Sequence, residues 1–148
     1  MSYKSQHGEY DKDFYAWSLH NAALIRAGRL SEVDLENVAE EIESMGRANK
    51  RELISRLAVL LAHLLKWKFQ TELRGNSWKY TIKHQRFKVR DLLNDNPSLK
   101  HELDRQLNHA YEEALILAIQ ETGLNPNIFP ETSPFSLVET LDENFFPQ

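Results

Sequence analysis

Residues 53–67 read LISRLAVLLAHLLKW. Leu53, Leu57, Leu60, Leu64 and Trp67 recur at alternating steps of four and three, the period of one helix face. Upstream, Leu35, Val38, Ile42 and Met45 keep the same rhythm. Between the two runs lies Gly46-Arg-Ala-Asn-Lys-Arg-Glu52, polar but free of proline. The pattern predicts one long helix from about 34 to 70, with Gly46 as the place for a bend or break. Unbroken, it would span about 55 Å at 1.5 Å per residue, long for a small domain.

Working outward, proline and glycine are scarce and grouped, which leaves further helical stretches. A first helix is predicted over about 11–27, with Phe14, Trp17, Leu24 and Ile25 near one face and Gly28 at the left-handed position after its last turn. Ser31 with Asp34 resembles a capping box opening the second helix. Arg74-Gly75-Asn76 reads as a turn, with Asn76 or Ser77 capping a third helix over 77–94. Its stripe is Trp78, Ile82, Val89 and Leu92. Gln85 interrupts that stripe and is expected to hydrogen-bond the second helix near His63 or Gln70. Pro97 suits the first position of a fourth helix over 97–122, which carries Leu99, Leu103, Leu107, Ala110, Ala114, Leu117 and Ala118. Its alanines allow close helix approach, and Gly123 ends it. The segment 124–148 holds Pro126, Pro130, Pro134 and Pro147, and only Ser136 to Asp142 suits a short helix. Phe129, Phe135, Phe145 and Phe146 place this tail on the helices rather than in solvent. The expectation is one all-α domain over 1–148, four-helix-bundle-like, with a very long helix and an irregular tail.

A chain of 148 residues is near the size of one domain and can bury a core without staples. With no cysteine, disulfides, zinc-thiolate sites and cysteine nucleophiles are excluded. No apolar run approaches the length of a membrane span, about 18 residues. Met1 to Tyr10 is polar and lacks an apolar signal core. A soluble cytoplasmic protein with no membrane partner is expected.

Charge is uneven along the chain. Residues 1–65 hold eight basic and ten acidic residues, net -2. Residues 66–90 hold eight basic residues and one acid, net +7, with Trp67, Phe69, Trp78, Tyr80 and Phe87 threaded between them. Residues 91–148 hold two basic and eleven acidic residues, net -9. The asymmetry calls either for an anionic partner at the middle segment or for an internal match between middle and tail. Internal or solvated matching is the commoner use of such cations.

Several motifs occur in one order: Asp13-Phe-Tyr-Ala-Trp17, Ala39-Glu-Glu-Ile-Glu-Ser-Met-Gly46, Ser55-Arg56 and His63-Leu-Leu-Lys-Trp67. Ser77-Trp78, Thr81-Ile82, Gln85-Arg86, Pro97-Ser-Leu99, Glu121-Thr-Gly-Leu124 and Phe129-Pro130 follow. Together they resemble the bacterial domain-of-unknown-function family numbered 29, over about Tyr10 to Pro147. The resemblance implies a small bacterial helical protein and supplies no catalytic residue.

Three constellations carry chemistry. Lys79, Lys83, Arg86 and Arg90 are spaced by four, three and four, so they share one helix face, as a ridge tracking phosphates would. Trp78 offers a stacking face beside it, although its place on an apolar stripe favours core packing. Arg56 and His63 lie two helical turns apart on one side. The pair resembles that of the ribonucleases among the higher-eukaryote and prokaryote nucleotide-binding domains, in which His is general acid or base and Arg stabilises phosphate charge. The polar residue such domains place after the Arg is Leu57 here. The bland reading is that Arg56 pairs with a carboxylate and His63 hydrogen-bonds a neighbour. Glu36, Glu40, Glu41 and Glu43 cluster, but no Glu-x-x-His element accompanies them. Nor are any two histidines four apart, so no metal and no cofactor are expected.

Three functional readings follow, in this order. The first is a non-enzymatic binding module whose Lys79, Lys83, Arg86 and Arg90 meet an anionic partner, nucleic acid or acidic protein. The second is a protein-interaction or assembly module, a homodimer included. The third is a metal-independent ribonuclease built on Arg56 and His63.

Overall fold

The computed structural model describes residues 8–148, and every described element is helical or irregular. The main helices are α1 (Phe14–Arg26), α2 (Leu35–Phe69), α3 (Asn76–Asp95) and α4 (Leu103–Thr122), followed by the short α5 (Leu137–Leu141). The chain is all-α. No helix among the described residues is long and apolar enough to cross a membrane. Helix α2 is continuous through Gly46. The chain divides into two compact units, up to Ala48 and from Asn49 onward.

In the first unit a helical turn over 8–12 precedes α1. Asp13 caps α1, its side chain accepting from the Ala16 N–H at 3.0 Å. After Arg26 the chain turns left-handed at Gly28, φ 73°. The Gly28 and Arg29 N–H groups return to the carbonyls of Ile25 and Leu24, the paired bonds of a Schellman end. A 3₁₀ turn covers Leu30–Glu32. Ser31 therefore lies in that turn, and the capping carboxylate of α2 is Asp34, which accepts from the Asn37 N–H at 3.5 Å.

Asp34 has a second task. It is buried, and it accepts the indole N–H of Trp17 at 3.0 Å. Its own N–H donates to Asn21 Oδ1 at 2.8 Å, and the Asn21 amide donates to the Trp17 carbonyl. Trp17, Asn21 and Asp34 thus form a satisfied polar knot. Tyr10 and Phe14 pack on Trp17, with ring centroids 4.8 and 5.4 Å away. The apolar repeat in the first half of α2 does not form a core: Leu35, Ile42 and Met45 are exposed, as are Phe14, Leu19 and Ile25 on α1. Periodicity fixes which residues share a face but not whether anything covers it.

The second unit holds the main core. Leu53, Leu57, Ala58, Leu60, Leu61, Ala62, Leu64 and Leu65 of α2 are all buried. A helix apolar around nearly its whole circumference belongs at the centre. Around it lie Ile82, Val89 and Leu93 of α3 and Leu103, Leu107, Ala110, Tyr111, Ala114 and Ala118 of α4. Helix α3 starts at Asn76, with Gly75 in the capping position and no side-chain cap, so neither Asn76 nor Ser77 caps it. Pro97–Glu102 is 3₁₀ rather than the first turns of α4. Gly123 is left-handed, φ 68°, and closes α4 by donating to the Ile119 carbonyl.

The tail lies on this core as its phenylalanines require. Phe129 and Phe135 are buried, Phe69 meets Phe129 at 5.5 Å, and Trp67 meets Phe146 at 5.0 Å. The Tyr111 hydroxyl donates to the Pro130 carbonyl at 2.6 Å, and burial pushes its pKa up to about 12. Ser136 and Glu139 form a reciprocal capping box at the start of α5.

Candidate anion-binding site

Helix α3 carries the site, and its inward face explains its outward one. Ile82, Arg86, Val89 and Leu93 are buried at helical spacing. Three of them fill core; the fourth is a cation. Arg86 is only 4% exposed. Its Nε donates to the Thr140 carbonyl at 2.9 Å and its Nη2 to the Glu139 carbonyl at 3.3 Å. It therefore serves two late carbonyls of α5, of which that of Glu139 also accepts from the Asp142 N–H. The guanidinium also lies over the Phe146 ring, 5.6 Å from its centroid. Burial pulls its pKa down to about 10, opposed by Asp142. Among the described residues its Nη1 is buried without a hydrogen-bond partner. The four-cation ridge is thus interrupted: Arg86 is turned inward, whereas Lys83 and Arg90 are exposed and Lys79 is half-buried.

Much of the basic segment is matched internally. Buried Lys66 pairs with Glu121 and lies 5.6 Å from the Trp78 ring centroid. Arg74 Nε donates to the Trp67 carbonyl at 2.6 Å and Nη2 to the Pro147 carbonyl at 3.3 Å. Arg90 pairs with Glu143. The acidic tail therefore covers part of the positive segment. Lys83 is different. Among the described residues it has no carboxylate within ion-pair distance, and its ammonium lies 5.6 Å from the centre of the Tyr80 ring.

On this outer face an open cavity of about 630 Å³ is formed. Lys83, His84, Arg86 and Arg90 line it with nitrogen, and Tyr80 and Phe87 supply rings. Glu143 and Asn144 of the tail close one side, so one carboxylate faces the nitrogen groups. The sequence singles out Trp78 as the stacking face, but Trp78 is half-buried against Lys66. Tyr80 and Phe87 take that position. Their seven-residue spacing, two turns of helix, was the available signal.

Arg56 and His63 are each held by other partners. Arg56 Nε donates to Glu52 at 3.1 Å and Nη1 to the Gln85 side chain at 3.2 Å. Gln85 thus does reach the second helix, at Arg56 rather than at His63 or Gln70. His63 Nδ1 donates to the Val59 carbonyl at 2.9 Å. Burial is the main cause holding its imidazole below the usual range, with Lys66 adding to it; the Val59 bond and Glu121 oppose. In the first unit Glu40 and Glu43 pair with Arg47 at 2.9 and 3.6 Å, and Glu41 accepts from the Tyr10 hydroxyl.

Fold and site define an all-α protein with a cationic, ring-lined cavity on one helix, partly closed by its own acidic tail. The chain belongs to the family described as domain of unknown function DUF29, which matches residues 9–146. No curated protein and no solved structure matches it.

Proposed function

We propose that the protein is a non-enzymatic binding module that receives an anionic partner on the outer face of α3. One observation carries this reading: the cavity gathers Lys83, Arg90 and the edge of Arg86 around open space, with Glu143 as the lone carboxylate among the described lining residues. Clustered cations in a concave site raise the local concentration of anions and steer their approach. Lys83 supports the reading most strongly, because it lines the cavity and, among the described residues, no carboxylate lies within ion-pair distance of it. Nucleic acid is the partner whose repeated charge fits such a face best.

The test is binding of purified, nuclease-treated protein to a labelled polyanion across a salt series. Binding should weaken with salt, and Lys83→Glu should abolish most of it at unchanged helicity. Equal binding by parent and Lys83→Glu would sink the reading.

A second reading has its own observation. Leu19 of α1 and Leu35, Ile42 and Met45 of α2 are exposed apolar side chains within the first unit. Such residues mark interaction surfaces when they are contiguous. An assembly role predicts a concentration-dependent sedimentation coefficient that Ile42→Lys reverses.

A further inference from the structure

The outer face of α3 repeats one arrangement. Lys83 lies over the ring of Tyr80, three residues before it, at 5.6 Å. Arg90 lies over the ring of Phe87, three residues before it, also at 5.6 Å. The two ring-and-cation pairs are seven residues apart, on one side of the helix and about 10.5 Å apart along its axis. Both rings are well exposed, Tyr80 at 60% and Phe87 at 48%. Large rings left open beside cations, in a cavity of this size, are groups awaiting a flat partner.

From this repeat we propose that the cavity binds a single-stranded nucleic acid segment, one base stacked at each ring and phosphates held by Lys83 and Arg90. The inference rests on the anion-binding reading and adds the ligand class. Duplex is disfavoured by chemistry: stacking on Tyr80 and Phe87 needs bases free of their partners. The rings offer stacking to any base, so recognition is tolerant of sequence. Glu143 is part of the same device. Its carboxylate already sits on Arg90, where a phosphate would bind. It acts as an internal competitor, and the incoming phosphate displaces it. Arg86, through the Thr140 and Glu139 carbonyls, holds the tail that carries this competitor.

The experiment is fluorescence anisotropy of a short labelled single strand with the full chain, at low salt. A duplex of the same length and free adenosine monophosphate serve as competitors. Tyr80→Ala and Phe87→Ala should each weaken strand binding about tenfold, with circular dichroism unchanged since both side chains are exposed. Glu143→Gln should tighten it about threefold. Duplex should compete poorly, and the free nucleotide only at far higher concentration. Strand binding that falls in Lys83→Glu yet is unaltered in both ring variants would overturn the stacked strand while leaving the anion site intact. A duplex competing as well as the strand would overturn it as well. Free nucleotide competing at strand concentration would assign the rings to a small ligand and overturn the strand. Absence of binding by every probe would overturn this inference and the reading beneath it together.

Discussion

Replacing Glu121 by Gln isolates the claim that the basic segment is matched from within. The Lys66 side chain is 8% exposed and its partner Glu121 45% exposed. Two unit charges about 4 Å apart attract by about 4 kcal/mol at an effective dielectric of about 20. The exposure of Glu121 brings water and salt to one side of the pair and cuts that figure substantially. Loss of the carboxylate should therefore cost about 1–2 kcal/mol and lower the melting midpoint by about 5 °C. Lys66→Met removes attraction and burial cost together and keeps the stem packed, so its net effect should stay within about 1 kcal/mol. The decisive comparison is the cycle: in the Lys66→Met background, Glu121→Gln should cost almost nothing. Urea unfolding of the parent, both single variants and the double variant measures it. An equal cost of Glu121→Gln in both backgrounds would refute the reasoning.

Four further outcomes are expected. Leu61→Ala, at the centre of the α2 core, should cost about 3 kcal/mol in denaturant unfolding, and a loss below about 1 kcal/mol would mean that α2 is not central. Gly46→Ala should stabilise by about 0.5–1 kcal/mol, since a Cβ there meets nothing within 4 Å inside a continuous helix, whereas Gly123→Ala should destabilise by about 1 kcal/mol because φ is 68°. Burial lowers the folded-state pKa of His63, so the unfolded chain takes up its proton first. Stability should fall as pH drops through about 6.5. His63→Gln should flatten that slope, and an unchanged pH profile would contradict the assignment.

The helices were legible because their signals are local. The leucine repeat of 53–67, the glycines at 28 and 123 and the proline-free run from Ser136 each state a rule within a few residues of chain. The tail phenylalanines announced a burial that α2, α3 and α4 provide. Other features were not legible, for physical reasons. Leu35, Ile42 and Met45 share the core period and are nevertheless exposed, since spacing cannot supply a covering surface. Arg86 sits among ridge cations in the sequence, and its burial depends on carbonyls more than fifty residues later. The knot of Trp17, Asn21 and Asp34 joins two elements through a loop whose turn geometry sequence spacing does not give. The cavity combines both cases: its rings and cations are an i,i+3 pattern on α3, but the acid that closes it arrives from residue 143. The expected match between positive middle and negative tail was readable as a charge balance. Which cations it pairs, Lys66 and Arg90, was not.

The measurement that bears most directly on the central claim is the salt dependence of single-strand binding, compared between the parent and Lys83→Glu. Each phosphate held by the protein contributes about -0.7 to the slope of log affinity against log salt. Contacts from Lys83 and Arg90 predict a slope of about -1.4 for the parent, and Lys83→Glu should lose at least half of it along with most of the affinity. A parent slope near zero, or a slope that Lys83→Glu leaves unchanged, would contradict an anion-binding role for the outer face of α3.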